Sequence, residues 1–463
     1  MGFAQQLSHK EHQCVISLPS LDGPTLLSDH SGLRLISHAE TRNDSSLFQD
    51  GSPADIIHAW TPRDPVRQVV IKLLHQHTSR LIVHMEDNEE YITAHSSDLT
   101  FQQLQQLPDY QLNDIIKPHY MHPRRGPALL EMADAISIIT PSLSRFVPPG
   151  TPSAVIHPII DSALFRPHNP PESLRADLSL SPEDRIITYT GGVHPINRSD
   201  IIGLYEMTSL INAGGTPCKL IHTGPGSCQL ASQLPREKAA HVKAMGMVDR
   251  NQIPQLLALA DVLVQPGPID DYNTYRLPSK IPQFLSMGKP VILPATNIGL
   301  ALKDRQQAVV LNDTSPQSFA NACLEVFNSP QLAARLANGA HQFATQAFNI
   351  DTNASTLEDL YLSIMNAPEI PLSSSLLHTD HTEMVALTLK MQSLITNNSP
   401  DIISRLCTSI QRNQAVAEDD LQHLSRIARR LPDITASYDA IRNSLIWRAS
   451  RPLRQLLDFV TRR

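Results

Sequence analysis

Short apolar runs of strand length recur along most of the chain, each followed by a segment whose apolar positions repeat every three to four residues. Strands feeding helices in this rhythm predict a parallel α/β architecture. In the first third the pattern predicts strands at 14–18, 33–37, 55–58, 81–84 and 135–139. Pro148-Pro149-Gly150 and the proline-rich stretch 167–171 then interrupt it, as a linker between domains does. A second series follows, with strands at 186–190, 219–222, 242–245, 261–265, 291–293 and 309–311. Helices are predicted at 199–213, 251–260, 279–287, 316–327 and 332–348, with glycines at the junctions. This is the pattern of a Rossmann-like nucleotide domain. Beyond about residue 366 the character changes: 372–380 is serine-rich, and the remainder reads as helix broken at Pro400, Pro432 and Pro452.

Composition narrows the function classes. The 463 residues are 41% hydrophobic and 18% charged, with a formal net charge of −7, so nothing calls for a nucleic-acid partner. The five cysteines (14, 218, 228, 323 and 407) show no CxxC pair and no His/Cys spacing of a zinc site. Neither a disulfide framework nor a structural metal is expected. No apolar run is long enough to span a bilayer, and the polar start MGFAQQLSHKEHQ lacks the apolar core of a signal peptide. The expectation is a cytoplasmic protein.

Two clusters carry candidate chemistry. Glycine turns at strand ends let a backbone approach a phosphate closely, with a helix N-terminus behind it. Gly191-Gly192 and Gly224 after predicted strands are such turns, and Arg276, Ser279 and Lys280 flank the start of the 279–287 helix. Asp270-Asp271 reads as a polar loop, with no metal expected. In the first third, 57–63 and 84–90 each begin at the end of an apolar strand, the edge where open sheets bind ligands. The second holds His84, Glu86, Asp87, Glu89 and Glu90. One of these groups could serve as a base or bind a hydroxyl; acids gathered at a helix start for its dipole are the alternative.

The segment ADVLVQPGPIDDYNTYRLPSKIPQFLSMGKPVILP, from Asp261, resembles the nucleotide domain of the large GT-B glycosyltransferase family, the retaining group 1 enzymes that use nucleotide-activated sugars. Its surroundings match in order: Gly191-Gly192, KLIHTG ending at Gly224, Gly246-Met247-Val248, and LLALAD ending at Asp261. The resemblance covers roughly 54–366, more weakly before 165. It implies two facing Rossmann-like domains: an N-terminal acceptor domain over 1–160 and a nucleotide-sugar domain over 165–345. A return helix at 346–366, a linker at 367–382 and a helical extension at 383–463 complete the expected α/β architecture.

The resemblance also implies site roles. Donor-binding residues are then Gly191, Gly192, Asn197, Arg198, Gly224, Met247, Arg276, Ser279, Lys280 and Gln283. His84 and Asp87 are the catalytic candidates, and His58, Arg63 and Glu86 the acceptor-binding ones. No cofactor is implied beyond the nucleotide-sugar substrate. Four departures stand out. The family's paired glutamates fall on Tyr275 and Gln283, and its diphosphate-binding Arg and Lys fall on Gly192 and Asn197. Arg276, Lys280 and Arg198 are the cations at hand to compensate.

The tail 437–463 sets six arginines and Trp447 among apolar residues. A basic amphipathic helix of this kind can lie on an anionic membrane surface, or dock on the protein or a partner. Its N-S-L-I-W-R-x-S-R-P-L-R stretch resembles a tail of bacterial surface-polysaccharide glycosyltransferases. The reading is a hexosyltransferase acting on a glycan or lipid-linked acceptor, peripheral to the inner face of the membrane. A non-catalytic relative acting as a binding scaffold stays open, and so does an epimerase on the same fold.

Overall fold

The computed structural model describes residues 2–21, 32–42, 47–48, 50–76 and 79–366. The expected linker 367–382, the helical extension, its basic end 438–463 and Cys407 lie outside the described residues. Among the described residues no helix is long and apolar enough to cross a membrane.

The strands are β1 (Val15–Leu18), β2 (Arg34–Ser37), β3 (Ile56–Trp60), β4 (Arg80–Met85), β5 (Ala135–Ile138), β6 (Ser153–Val155), β7 (Arg185–Thr190), β8 (Cys218–Thr223), β9 (Val242–Gly246), β10 (Val262–Val264), β11 (Val291–Pro294) and β12 (Val309–Leu311). Six of them form a sheet in the order β12-β11-β10-β7-β8-β9, every pairing parallel. Numbered from its own first strand, this is the doubly wound Rossmann order, with its switch point between β7 and β10. A second, parallel sheet runs β3-β4-β5-β6.

Burial explains why these segments are strands. β10 and β11 are buried at every position, as a parallel sheet covered on both faces demands. One face of the six-stranded sheet packs Ile187, Val262 and Ile292 against Ile201, Leu204 and Ile211 of the helix Arg198–Ala213 and Phe319 and Val326 of the helix Pro316–Phe327. The other face belongs to a cluster that holds Phe284 and Leu285 of the helix Lys280–Ser286 and continues through Phe165 to Val83 and Ile136 in the second sheet. The two sheets therefore share one apolar core, worth roughly 1.5–3 kcal/mol per fully buried large side chain. The last described helix, Ile350–Met365, returns to the N-terminal sheet: Leu360 and Ile364 pack on Ile82 and Ala135, and Leu357 on Leu7 and Ile156.

Three details differ from the sequence reading. Among the described residues β1 and β2 pair only with each other, as a separate two-stranded parallel sheet, and the N-terminal sheet opens instead on β3. β6 sits after Pro148-Pro149-Gly150, where only a linker was expected, because three residues between prolines carry too short an apolar run to read. The 251–260 helix divides into a 3-10 turn at Arg250–Gln252 and a helix Ile253–Leu259 with Pro254 in its first turn, a position that needs no amide hydrogen.

One glycine is fixed by contact with a neighbouring loop. Gly339 lies inside the helix Pro330–Ala347, and a Cβ there would stand 2.0 Å from the Gln306 carbonyl oxygen. Alanine would gain up to about 1 kcal/mol in helix propensity, but this overlap is with backbone and costs roughly 1–3 kcal/mol. The overlap should win: Gly339→Ala is expected to lower the denaturation midpoint, and a raised midpoint would show that the helix does not press on the 303–307 loop.

Candidate functional site

The site begins at the switch point. β7 and β8 end in glycine turns that press on each other: a Cβ on Gly224, whose φ is +122°, would stand 2.6 Å from the Gly191 carbonyl carbon. The Gly191 amide donates to the Thr223 carbonyl at 2.9 Å, and the Gly224 amide to that of Gly246 at 2.7 Å. Buried His222 holds the turn from beneath. Its Nε2 lies 2.9 Å from the Gly191 carbonyl and its Nδ1 2.9 Å from the Tyr205 hydroxyl. A carbonyl only accepts, so Nε2 carries the proton and Nδ1 accepts from the tyrosine. Burial holds this imidazole below its ordinary pKa, which keeps it neutral.

Asn197 closes the following loop. Its Nδ2 donates to the Gly192 carbonyl at 3.0 Å, and its Oδ1 accepts from the His194 amide at 2.7 Å. The side chain is thus spent on the loop, and the helix Arg198–Ala213 starts with no side-chain cap. Its first amides and its dipole face the same space as the glycine turn.

Two cations reach that space. The helix Lys280–Ser286 brings in Lys280, whose Nζ sits 5.2 Å from the centre of the Tyr189 ring. Its Cε would stand 2.8 Å from a Cβ on Gly191. Arg276 lies over the Tyr272 ring at 4.4 Å, and its buried Nε has no hydrogen-bond partner. Among the described residues neither cation makes an ion pair or a charged hydrogen bond. Burial, and after it the nearby Arg276 charge, pushes the Lys280 ammonium down to about 8. A cavity of about 240 Å³ opens beside Arg276, lined by Asn197, Asp200, Gln265 and Arg276 from the half that carries the six-stranded sheet and by Tyr91 and His95 from the N-terminal half. The Gln265 Oε1 is buried without a partner.

The N-terminal half meets the cleft through the 271–275 segment. Ser142 Oγ donates to the Thr274 carbonyl at 2.7 Å, Asn88 Nδ2 to that of Asp271 at 3.3 Å, and Arg145 to the Tyr275 hydroxyl at 3.1 Å. Behind this contact the ends of β3 and β4 form a polar cluster. His58 and His84 both hydrogen-bond the Ser137 hydroxyl, at 3.0 and 2.8 Å, and His58 also meets the Tyr361 hydroxyl at 2.8 Å. Burial lowers both histidines, His58 to about 4 and His84 well below its ordinary value. Arg63 donates to both oxygens of Glu89 at 2.9 Å and reaches Asp87 at 3.5 Å. Glu89, 1% exposed, is pushed by burial up to about 7. Asp87 is also raised by burial, against the pull of Arg63 and of Arg276 from the opposite half.

The structure therefore gathers Gly191, Gly192, Gly224, Asn197, Arg276 and Lys280 at one place. It gathers His58, His84, Arg63, Glu86 and Asp87 at another. Arg198 is turned elsewhere: the helical phase points it at Gln233, which its guanidinium meets at 3.1 Å. Met247 is 74% exposed and does not line the cavity. Ser279 is exposed and makes no cap, while the half-buried Gln283 has no side-chain hydrogen bond among the described residues. Asp270 caps the turn Asp271–Thr274 through the Asn273 amide at 2.7 Å, which accounts for the acidic pair. Sequence reasoning missed Tyr91, His95, Asp200 and Gln265; the stacked spacing of Tyr91 and His95 one helical turn apart was the available signal.

Residues 184–329, from the first strand of the six-stranded sheet to past its last, match the family model Glycosyl transferases group 1. The chain carries a group 1 glycosyltransferase domain. Among curated proteins it is similar to the D-inositol 3-phosphate glycosyltransferase of Streptomyces avermitilis, 24% identical over 227 residues, 46% of this chain and 47% of that protein. The same enzyme of Mycolicibacterium gilvum is 24% identical over 178 residues, 37% of this chain and 38% of that protein. The chain thus spans about half the length, or less, of these relatives. The glycosyltransferase domain and its N-terminal partner superpose together on solved structures. Sucrose-phosphate synthase from Thermosynechococcus elongatus aligns with a TM-score of 0.57 at 16% identity, covering 79% of this chain and 92% of that one. Anabaena HepE, in complex with UDP and glucose, aligns at 0.56 and 17% identity, covering 78% and 94%. These likenesses show the fold: two Rossmann-like units in the GT-B arrangement.

Lys280 makes the glycine-turn side of the cleft testable without a ligand. Its folded pKa lies below the unfolded value of 10.5, at about 8. Between these values the unfolded chain holds a proton that the folded chain has released, so this residue makes stability rise with pH. Lys280→Met removes the buried charge. The variant should be the more stable at pH 7, and its advantage should shrink as pH rises from 8 through 10. Parallel denaturation midpoints for the two proteins over that range would contradict a desolvated lysine.

Proposed function

We propose that the chain transfers a hexosyl group from a nucleotide-sugar donor to a glycan or lipid-linked acceptor, in the synthesis of bacterial surface polysaccharide at the cytoplasmic face of the membrane. The observation that carries the reading is the unpaired state of Arg276 and Lys280. Two part-buried cations that make no ion pair among the described residues, next to an uncapped helix start and a side-chain-free turn, favour a ligand bearing several negative charges. A nucleoside diphosphate has that chemistry. UDP is the first nucleotide to test, because the solved complexes of Anabaena HepE hold UDP and UDP-glucose.

In this reading the diphosphate lies along Gly191-Gly192, and Lys280 and Arg276 stabilise the charge that grows on it as the glycosidic bond breaks. They take the place of the cations that the family carries at the positions of Gly192 and Asn197. The N-terminal half positions the acceptor across the cleft, with Asp87 nearest to Arg276 in the electrostatic sense. A retaining, front-face displacement needs no protein nucleophile, since the leaving phosphate can take the acceptor proton; positioning does most of the work. One observation favours the scaffold alternative: Tyr275, at a position where the family carries a glutamate, is engaged by Arg145 rather than open to a donor.

Calorimetric titration with UDP and UDP-sugars separates the two readings. Lys280→Ala and Arg276→Ala are each expected to weaken binding by roughly 1–3 kcal/mol, the worth of a charged hydrogen bond. Unchanged affinity in both variants would remove the proposed role of these cations. No binding of any nucleotide sugar to the wild-type chain would move the reading to the scaffold.

A further inference from the structure

The N-terminal half presents a tryptophan that is packed among the rings of Phe3, His58 and His84 and yet stays partly exposed. Trp60 ends β3 and is 40% exposed. Its indole is held rigidly nonetheless. It stacks on the His84 ring at 4.1 Å between centroids and 31° between planes, and its Nε1 donates to Glu86 Oε1 at 2.8 Å. His84 is itself fixed to Ser137 and 1% exposed. Its Nε2 is buried without a hydrogen bond, 3.9 Å from the same Glu86 oxygen.

The backbone beyond the indole is strained. Thr61 has φ of +83°, a conformation that β-branched residues rarely adopt. It is kept there by its amide, which donates to the His84 carbonyl at 3.1 Å. Such strain is costly and persists where the surrounding structure over-determines it. Here it sets the direction of the chain between Trp60 and Pro62, so indole, carboxylate and imidazole are presented as one unit. Glu86 lies two residues before Asn88, whose Nδ2 donates to the Asp271 carbonyl of the other half at 3.3 Å. The unit therefore stands beside the contact where the N-terminal half meets the other.

A fixed, exposed aromatic face with a carboxylate at its rim matches a pyranose: the C–H face of the ring lies on the indole and a hydroxyl donates to the carboxylate. We infer that Trp60 is the acceptor platform of this protein, stacking a hexopyranose ring of the acceptor while Glu86 takes one of its hydroxyls. The inference rests on the glycosyltransferase reading for the word acceptor, but the sugar contact can be measured without it.

The probes are a panel of methyl hexopyranosides, followed by saturation-transfer NMR on the full chain, with UDP calorimetry on the same samples. At least one pyranoside should bind the wild type, and Trp60→Leu should weaken it about fivefold to tenfold, the range of a stacking contact. Trp60→Phe should restore part of the loss. In a Trp447→Phe chain, Trp60 is the sole tryptophan, and the same sugar should perturb its fluorescence. Equal sugar binding by wild type and Trp60→Leu, or no binding of any pyranoside, would overturn the platform. The donor reading is judged separately: UDP should bind wild type and Trp60→Leu alike. A sugar response that survives without UDP binding would sink the donor reading and keep the platform.

Discussion

Two strand ends meet at the centre of this molecule with no side chain between them, and that contact governs what surrounds it. Because Gly224 presses on the Gly191 carbonyl, a Cβ on Gly224 would push the β7 and β8 turns apart, and one on Gly191 would meet the Tyr189 ring and the Lys280 side chain. The same closeness places Lys280 against Gly191 and over Tyr189. His222 then locks the turn from below through a carbonyl that can only accept. The result is a concave backbone surface at the switch point of the sheet, with its cations desolvated by the protein that holds them. Burying cations that make no ion pair among the described residues is unfavourable in the free protein, and an arriving anion offsets that cost.

The opposite wall follows a different logic. Polar groups there are hydrogen-bonded to one another: Arg63 with Glu89 and Asp87, Trp60 with Glu86, His58 and His84 through one serine hydroxyl. Such a wall holds one cation among several carboxylates and suits hydroxyl-rich partners, whereas the wall that carries Arg276 and Lys280 suits phosphate. The 271–275 segment ties the two walls through Ser142, Asn88 and Arg145. The cleft between them is thus asymmetric in charge as well as in fold.

Much of this was legible in the chain because strands buried on both faces read as continuous apolar runs. Each of the six strands β7 to β12 was predicted within a residue or two of its bounds. The glycine turns were legible for the same reason, since they punctuate those runs. What failed depended on direction rather than on periodicity. Arg198 lies one position from a useful place, yet helical phase carries it to Gln233. Met247 sits in a matching motif but faces solvent. Tyr91 and His95 reach the cavity only because the N-terminal half is folded against the 271–275 segment, a relation that no local pattern encodes. The strain at Thr61 is likewise invisible in composition.

The central claim is that the unpaired Arg276 and Lys280 await a donor diphosphate beside the Gly191-Gly192 turn. A crystal structure of the chain grown with saturating UDP tests it most directly. The account predicts a diphosphate against that turn, with the Lys280 ammonium and the Arg276 guanidinium within hydrogen-bond distance of its oxygens. A nucleotide bound elsewhere, or one bound there with both cations left unpaired, would contradict it.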